Sequence, residues 1–542
     1  MNAPDLAPFF TLRSCLSLPT PRSLVSDPTF RETMNQNTDL LSAGIGVPQN
    51  YLPNVSSASV AKQDTAEPLS TAAGQIHGIN GDSSRSMSHP LTPEQIKDVI
   101  QKFIESVNKD AVCDLASRHN GGRSCKVVDQ KNGSYNVCFF IHFDVENVTW
   151  ILRIPIELVS CNTWSKVVSD VTTTRYIKRK TSIPVPQIHA YGKDPTLIEG
   201  ASTPFMLMDV MHGQQLHTKT FLESTESQRR NLYIGLMDVL AQLRQLEFPA
   251  AGSLMPNPDD PDNELNPVLG PLISMTVNEF DWKRKEKWPA QIFTSSKSFI
   301  DLHCYILSET FRLPTPELEH GQAKKEILAL NRIPKEINSC FELQESNSPY
   351  ILAHPDLRCG NLIVDDEFHI LGVLDWEFTG TVPKQFFTPP AWITGHDPDI
   401  LFIVTGIRRS QVLPEFAQVL QETHESSTGW TRLLQEWGLR KEDANQSNYI
   451  SELSSLVQIL RHPSTLVDDP ENQILAEQVD IQIQKSERYT EYLRGNGLLV
   501  HDERKQFIEE WLQKAKALLE ATKETSEKRR RREALLESKS QP

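Results

Sequence analysis

The chain has 542 residues, of which 55 are Lys or Arg and 70 are Asp or Glu, for a formal net charge of −15 and a hydrophobic fraction of 38%. So acidic a chain argues against a general nucleic-acid binder, whose phosphate contacts come from clustered Lys and Arg, but not against a nucleotide held by a few local groups. Cys15, Cys113, Cys125, Cys138, Cys161, Cys304, Cys340 and Cys359 form no C-x-x-C pair, which excludes a disulfide scaffold or structural zinc and reads as reduced thiols.

Residues 1–90 are rich in Ser, Thr, Pro, Asn and Gly without a sustained period, and read as mostly disordered. They show no secretory signal, and no stretch of the chain reaches the ~18 apolar residues that span a bilayer, so no membrane partner is expected. The expected compartment is the cytoplasm. Arg13, Arg22 and Arg31 among serines have a faint transit-peptide character, and Asp5 and Asp27 count against import.

Order is expected to begin at Leu91-Thr92-Pro93-Glu94-Gln95, where Thr92 suits a helix N-cap, Pro93 the first helical position and Gln95 the reciprocal cap. Strands are predicted at 126–129, 136–143 and 149–154, the first two joined by a tight turn around Gly133 and Ser134. A helix is predicted over 163–180, ended by Ile183-Pro184-Val185-Pro186, and a further strand over 204–211 closes at Gly213. Beyond it the chain turns helical: Leu232, Leu236, Val239, Leu243 and Leu246 keep the spacing of a buried seam. An apolar strand then ends at His354, and a hairpin joins Asn361–Val364 to Ile370–Leu374. The remainder, 398–525, reads as mainly helical, with Phe507, Trp511, Ala515 and Leu518 on one face of the last helix. The basic run Lys528–Arg532 reads as a solvated tail more readily than as an import signal.

The chemistry concentrates in Ile351-Leu352-Ala353-His354-Pro355-Asp356-Leu357-Arg358-Cys359-Gly360-Asn361 and, past the hairpin, Leu374-Asp375-Trp376-Glu377. This is H-x-D-x4-N followed by D-W-E. The hairpin between them carries Asp356, Asn361 and Asp375 into one small volume, and all three offer the hard oxygens that Mg²⁺ takes alongside substrate phosphates.

This stretch, with Phe378-Thr379-Gly380-Thr381-Val382-Pro383 and Pro389-Pro390-Ala391-Trp392 after it, resembles the aminoglycoside phosphotransferase and choline kinase group, most closely its fungal branch. The resemblance spans roughly 110–400. It implies a bilobal, protein-kinase-like α+β fold, with a small antiparallel β-rich N-lobe over 91–213 and a larger, mainly helical C-lobe over 214–525, flanked by segments 1–90 and 526–542. It implies a phosphotransferase that uses ATP and Mg²⁺ on a hydroxyl of a small-molecule acceptor. Asp356 falls at the catalytic-base position, Asn361 and Asp375 at the metal ligands, and Glu377 where relatives carry a second acid, an outer-shell or second-metal contact. Arg358 sits where a cation could meet the transferring phosphoryl group, and His354 braces the loop. On the nucleotide side, Gly133 and Ser134 align with the phosphate-covering turn and Arg153 with the phosphate-orienting cation. Asp170 aligns with that cation's helix partner, one methylene shorter than the usual Glu, and Met208 and Val210 with the adenine-contacting strand. The Arg153 and Asp170 substitutions also admit a second reading, a catalytically impaired nucleotide-binding pseudokinase or scaffold.

Overall fold

The computed structural model describes residues 89–157, 162–275, 277–278, 291–324, 326–328, 330, 349–390, 393, 406–439 and 472–499. The expectations for the N-terminal head before His89, for the helix carrying Phe507 and for the basic run Lys528–Arg532 lie outside the described residues.

Helix α1 (Pro93–Ser106) opens on the expected capping box: the Gln95 amide donates to Thr92 Oγ1 at 3.3 Å, and the Thr92 amide donates to Gln95 Oε1 at 2.9 Å. Helix α2 (Lys109–His119) follows, capped by Asn108, whose Oδ1 accepts from Asp110 and Ala111. Strands β1 (Lys126–Asn132), β2 (Asn136–Phe143) and β3 (Val148–Pro155) come next, then helix α3 (Thr163–Lys180) and strands β4 (Ile188–Ile198) and β5 (Ala201–Asp209). The five strands form one antiparallel sheet in the order β1-β2-β3-β5-β4.

Period-two alternation divides its faces. Val137, Phe139, Ile141 and Phe143 on β2, with Trp150, Leu152 and Ile154 on β3, are buried in one cluster with Phe103, Val112 and Leu115 of α1 and α2. The intervening positions face the other way, where α3 packs Val167 and Val171 against Ile188 and Met206. Arg153 and Cys138, opposite one another in register, belong to this second set.

The small strand β6 (Gln214–Gln215), helices α4 (Thr218–Glu223) and α5 (Glu226–Arg244), strands β7 (Glu247–Phe248), β8 (Ser253–Met255) and β9 (Val268–Gly270), and helix α6 (Ser296–Phe311) lead into the second part of the fold. There β10 (Tyr350–Ala353) lies between β13 (Gly380–Pro383) and β7, while β11 (Leu362–Val364) pairs with β12 (Ile370–Val373) on one side and β6 on the other. The predicted Leu232–Leu246 seam on and just beyond α5 is buried in a core shared with Ile351, Leu362, Val373 and Trp376 and with helices α7 (Gly406–Thr423) and α8 (Thr428–Glu436). A final described helix, α9 (Asn472–Gly495), returns to the start: His89 stacks on Tyr489 and Tyr492, with ring centroids 5.3 and 4.4 Å apart, and the Tyr489 hydroxyl donates to the Pro90 carbonyl at 3.1 Å. The architecture is the bilobal α+β arrangement expected, a β-rich first lobe and a mainly helical second. Among the described residues no helix is long and apolar enough to cross a membrane.

The lobes meet at Gly213. Its φ of +127° is open to glycine alone, and a Cβ there would fall 2.7 Å from Ile363 Cγ2 and 2.9 Å from the Val364 carbonyl. This contact lets the chain leaving β5 pass directly onto the β11–β12 hairpin.

Candidate active site

Strand β10 delivers His354 and Asp356 from a fully buried base, Tyr350–Ala353. The loop after it is fixed by its own groups. The Asp356 amide donates to His354 Nδ1 at 3.0 Å, so the ring carries its proton on Nε2, which donates to the Leu374 carbonyl at 2.8 Å. Burial lowers the pKa of His354 and keeps it neutral. The ring also packs on Trp376, with centroids 4.7 Å apart. His354 is therefore the brace that joins the loop to the far arm of the hairpin.

Asn361 closes a short turn, Cys359–Asn361, and donates its side-chain amide to the Asp356 carbonyl at 2.7 Å and to Asp356 Oδ2 at 3.1 Å. Register does the rest: Leu362 pairs with Val373, and the Leu374 amide donates to the Asn361 carbonyl at 2.8 Å, which brings Asp375 alongside Asn361. Asp375 has φ +63°, a left-handed conformation that Asp adopts more readily than most residues. Arg358 Nε lies 3.0 Å from Asp356 Oδ2 on a side chain 44% exposed.

The first lobe reaches the same place. Arg153 Nη2 lies 2.5 Å from Asp375 Oδ1 and 3.0 Å from Glu377 Oε2. Lys166 Nζ on α3 lies 2.5 Å from Glu377 Oε2 and 3.1 Å from Asp170 Oδ2, and Asn136 Nδ2 donates to Glu377 Oε2 at 2.7 Å. The result is a buried run of alternating charge, Asp170, Lys166, Glu377, Arg153, Asp375. Burial alone would raise Glu377, but Lys166 and Arg153 outweigh it and hold its carboxyl at about 2. Burial lifts Asp170 to about 6 against the pull of Lys166. Burial, helped by Glu377, also raises Asp375, with Arg153 opposing. Both cations stay charged, since their carboxylate partners outweigh the cost of burial.

One expectation is corrected here. Asp170 does not pair with Arg153: one methylene short, it takes Lys166 on its own helix, and Arg153 turns to the D-W-E acids instead. Glu377, expected as an outer-shell or second-metal contact, is 5% exposed and has its Oε2 ringed by three donors, Arg153, Lys166 and Asn136. Lys166, the group sequence reasoning missed, looks in the sequence like one more solvated helix lysine.

The remaining predicted residues lie near this cluster without joining it. The Gly133 amide donates within its turn to the Asn136 carbonyl at 2.9 Å, and Tyr135, just after Ser134, packs edge-on against Phe378 at 5.1 Å. Met208 packs, half-buried, against the α3-facing side of the sheet, and Val210 lies just past the end of β5.

As a metal site, the donor set is open. The side-chain amide of Asn361 turns to Asp356 and leaves its carbonyl oxygen, while Asp375 keeps Oδ2 on a side chain 29% exposed. No set of three His, Cys, Asp or Glu forms a closed metal cage among the described residues. Two oxygens with open positions suit Mg²⁺, which keeps several waters and takes phosphate oxygens as further ligands.

Residues 172–383 match the model of the phosphotransferase enzyme family. Over those residues the chain is similar to that family. Among curated relatives, "Altered inheritance of mitochondria protein 9, mitochondrial" of Saccharomyces cerevisiae is 25% identical over 427 residues, which cover 69% of this chain and 64% of the yeast protein. The chain thus spans slightly less than two thirds of that relative's length. The chain is also similar to an ethanolamine kinase of Drosophila melanogaster, 26% identical over 125 residues, 22% of this chain and 23% of that protein. Among solved structures, the GDP complex of aminoglycoside 2'-phosphotransferase-IIIa aligns with 70% of this chain and 99% of its own at 12% identity, with a TM-score of 0.37. The yeast relative's name corrects the expectation of a cytoplasmic protein, which rested on cysteines read as reduced thiols, with Asp5 and Asp27 counted against import.

Proposed function

We propose that the chain is a kinase that transfers the γ-phosphoryl group of ATP to a hydroxyl of a small-molecule acceptor. The observation that carries this reading is the meeting of Asp356, Asn361 and Asp375 through the Asn361–Asp356 and Leu374–Asn361 hydrogen bonds.

Phosphoryl transfer asks mainly for positioning and for neutralisation of charge. Asp356 orients the acceptor hydroxyl and takes its proton as the new P–O bond forms and the bond from the γ-phosphorus to the departing ADP breaks. Arg358 stands over that carboxylate, exposed enough to turn toward the transferring phosphoryl group. Arg153 has a buried Nε without a partner, and that N–H is the group it offers to a phosphate oxygen. Asn361 and Asp375 would hold Mg²⁺, which when bound neutralises phosphate charge.

A second reading, nucleotide binding without turnover, is favoured by the Arg153–Asp375 contact, because a cation already occupies one oxygen of the metal ligand. A pooled-metabolite screen with MgATP separates the two: an acceptor gaining the mass of one phosphoryl group supports the kinase, while MgATP-induced thermal stabilisation with no transfer supports the second. Asp356→Ala should abolish any transfer found, and full turnover in that variant would overturn the kinase assignment. By likeness to the yeast protein the compartment proposed is the mitochondrion. A fluorescent fusion of the full chain that stays outside mitochondria would refute that placement.

A further inference from the structure

A buried lysine is costly unless its charge is met on every side, and Lys166 is only 1% exposed. It also closes the first turn of α3, the end of a helix where the backbone dipole disfavours a cation. An apolar residue would fill that space more cheaply, so the charge itself calls for an explanation.

Its contacts supply one. Lys166 Nζ lies 2.5 Å from Glu377 Oε2, 3.1 Å from Asp170 Oδ2 and 3.5 Å from Asn136 Oδ1, and 5.0 Å above the Phe378 ring. Asp170 and Lys166 belong to α3, Asn136 to β2, and Glu377 and Phe378 to the segment that follows the hairpin. Glu377 in turn lies 3.0 Å from Arg153, which lies 2.5 Å from Asp375. The helix of the first lobe therefore acts on Arg153 in two steps, by way of an acid from the second lobe. If Lys166 were neutral, Arg153 would be the sole cation facing both Glu377 and Asp375, and its guanidinium would be drawn toward them and away from a phosphate.

We propose that Lys166 and Glu377 form an interlobe pin whose work is to position Arg153 and Asp375 for the nucleotide, and that Glu377 is a positioning residue and not a metal ligand. This inference rests on the ATP-dependent reading of the site, and MgATP binding by the wild-type chain is accordingly the first measurement.

The test uses the full-length chain, a fluorescent ATP analogue titrated at several Mg²⁺ concentrations, and thermal unfolding. Glu377→Gln is the mild variant, since it keeps the shape and the Asn136 neighbour. It is expected to weaken binding of the Mg²⁺–nucleotide about tenfold without shifting the Mg²⁺ concentration at half effect. Lys166→Met should weaken binding similarly and lower the unfolding temperature. The double variant Lys166→Met/Glu377→Gln should recover much of that thermal stability and little of the affinity. A purely structural pair would recover both in the double variant, which overturns the proposal. So does a Glu377→Gln protein whose affinity is unchanged, or one whose Mg²⁺ requirement rises as a lost ligand's would. If Lys166→Met does not fold, Glu377→Gln alone decides. If the wild-type chain takes up no MgATP, the proposed function falls first and this inference with it. Binding by the wild type with unaltered variants removes the pin alone.

Discussion

The side-chain amide of Asn361 donates to the main-chain carbonyl of Asp356 at 2.7 Å, so a single residue both shapes the loop and supplies an oxygen to the site. Asn361→Ala removes one of two donors to that part-buried carbonyl, which still accepts from the Arg358 amide at 2.9 Å, and a lost hydrogen bond of this kind typically costs ~0.5–1.5 kcal/mol. The expected outcome is a fall in chemical-denaturation midpoint together with at least a hundredfold loss of turnover. Asn361→Asp, which puts a second negative charge beside Asp356, should lose turnover as well. Wild-type rates in either variant would contradict the assignment.

Asp356→Asn keeps the shape of the side chain and removes its ability to accept a proton. Loss of a positioned general base typically costs about 10²–10⁴ in rate. The variant should bind MgATP within about threefold of wild type by calorimetry and show no measurable transfer. Equal losses of binding and turnover would instead indicate a collapsed loop.

Asp170 gives the site a pH signature. Its carboxyl, ordinarily at 3.8, stands at about 6 in the fold because burial disfavours its charge. A carboxyl raised on folding contributes stability that is present below the unfolded value and is lost as pH rises through the folded one. The unfolding temperature of wild type minus that of Asp170→Asn should therefore decline between about pH 4 and 6 and level off above. Subtraction cancels groups such as His303, which burial lowers to about 4 and which acts in the opposite direction. A flat difference curve would show that Asp170 does not carry the effect.

Leu236 on α5 is 0% exposed in the core behind the hairpin. Leu236→Ala is expected to cost ~2–5 kcal/mol of stability, the range for leucine truncations in cores. Nucleotide affinity measured well below the unfolding transition should stay unchanged, since α5 supports the β11–β12 hairpin from behind and contributes nothing to the charged cluster.

The loop carrying Asp356 and Asn361 was legible because its parts are close in sequence and their meeting with Asp375 is enforced by a hairpin, whose register follows from two apolar runs and a polar turn. The first helix was legible for a similar reason: Thr92, Pro93 and Gln95 specify its start locally. Strand β4 was not legible, because Gly192 and Pro195 interrupt its pattern. It forms because it is an edge strand, where a proline is tolerated, and its register shifts between Asp194 and Ile198. The partners of Arg153 were misread for a different reason. The helix position that aligns with its partner carries a shorter acid, and the acids it does meet come from beyond the hairpin, a pairing that only the closed fold defines. Lys166 was hidden for the same cause, since its partner Glu377 is distant along the chain.

The stacking of His89 on Tyr489 and Tyr492 bears on how the protein is handled at the bench. A fragment cut to the family-matched stretch 172–383 would discard both halves of that clasp, along with the two helices packed on the five-stranded sheet. Expression boundaries drawn outside His89 and Tyr492 keep the clasp whole, and trimming either side of it should loosen the other.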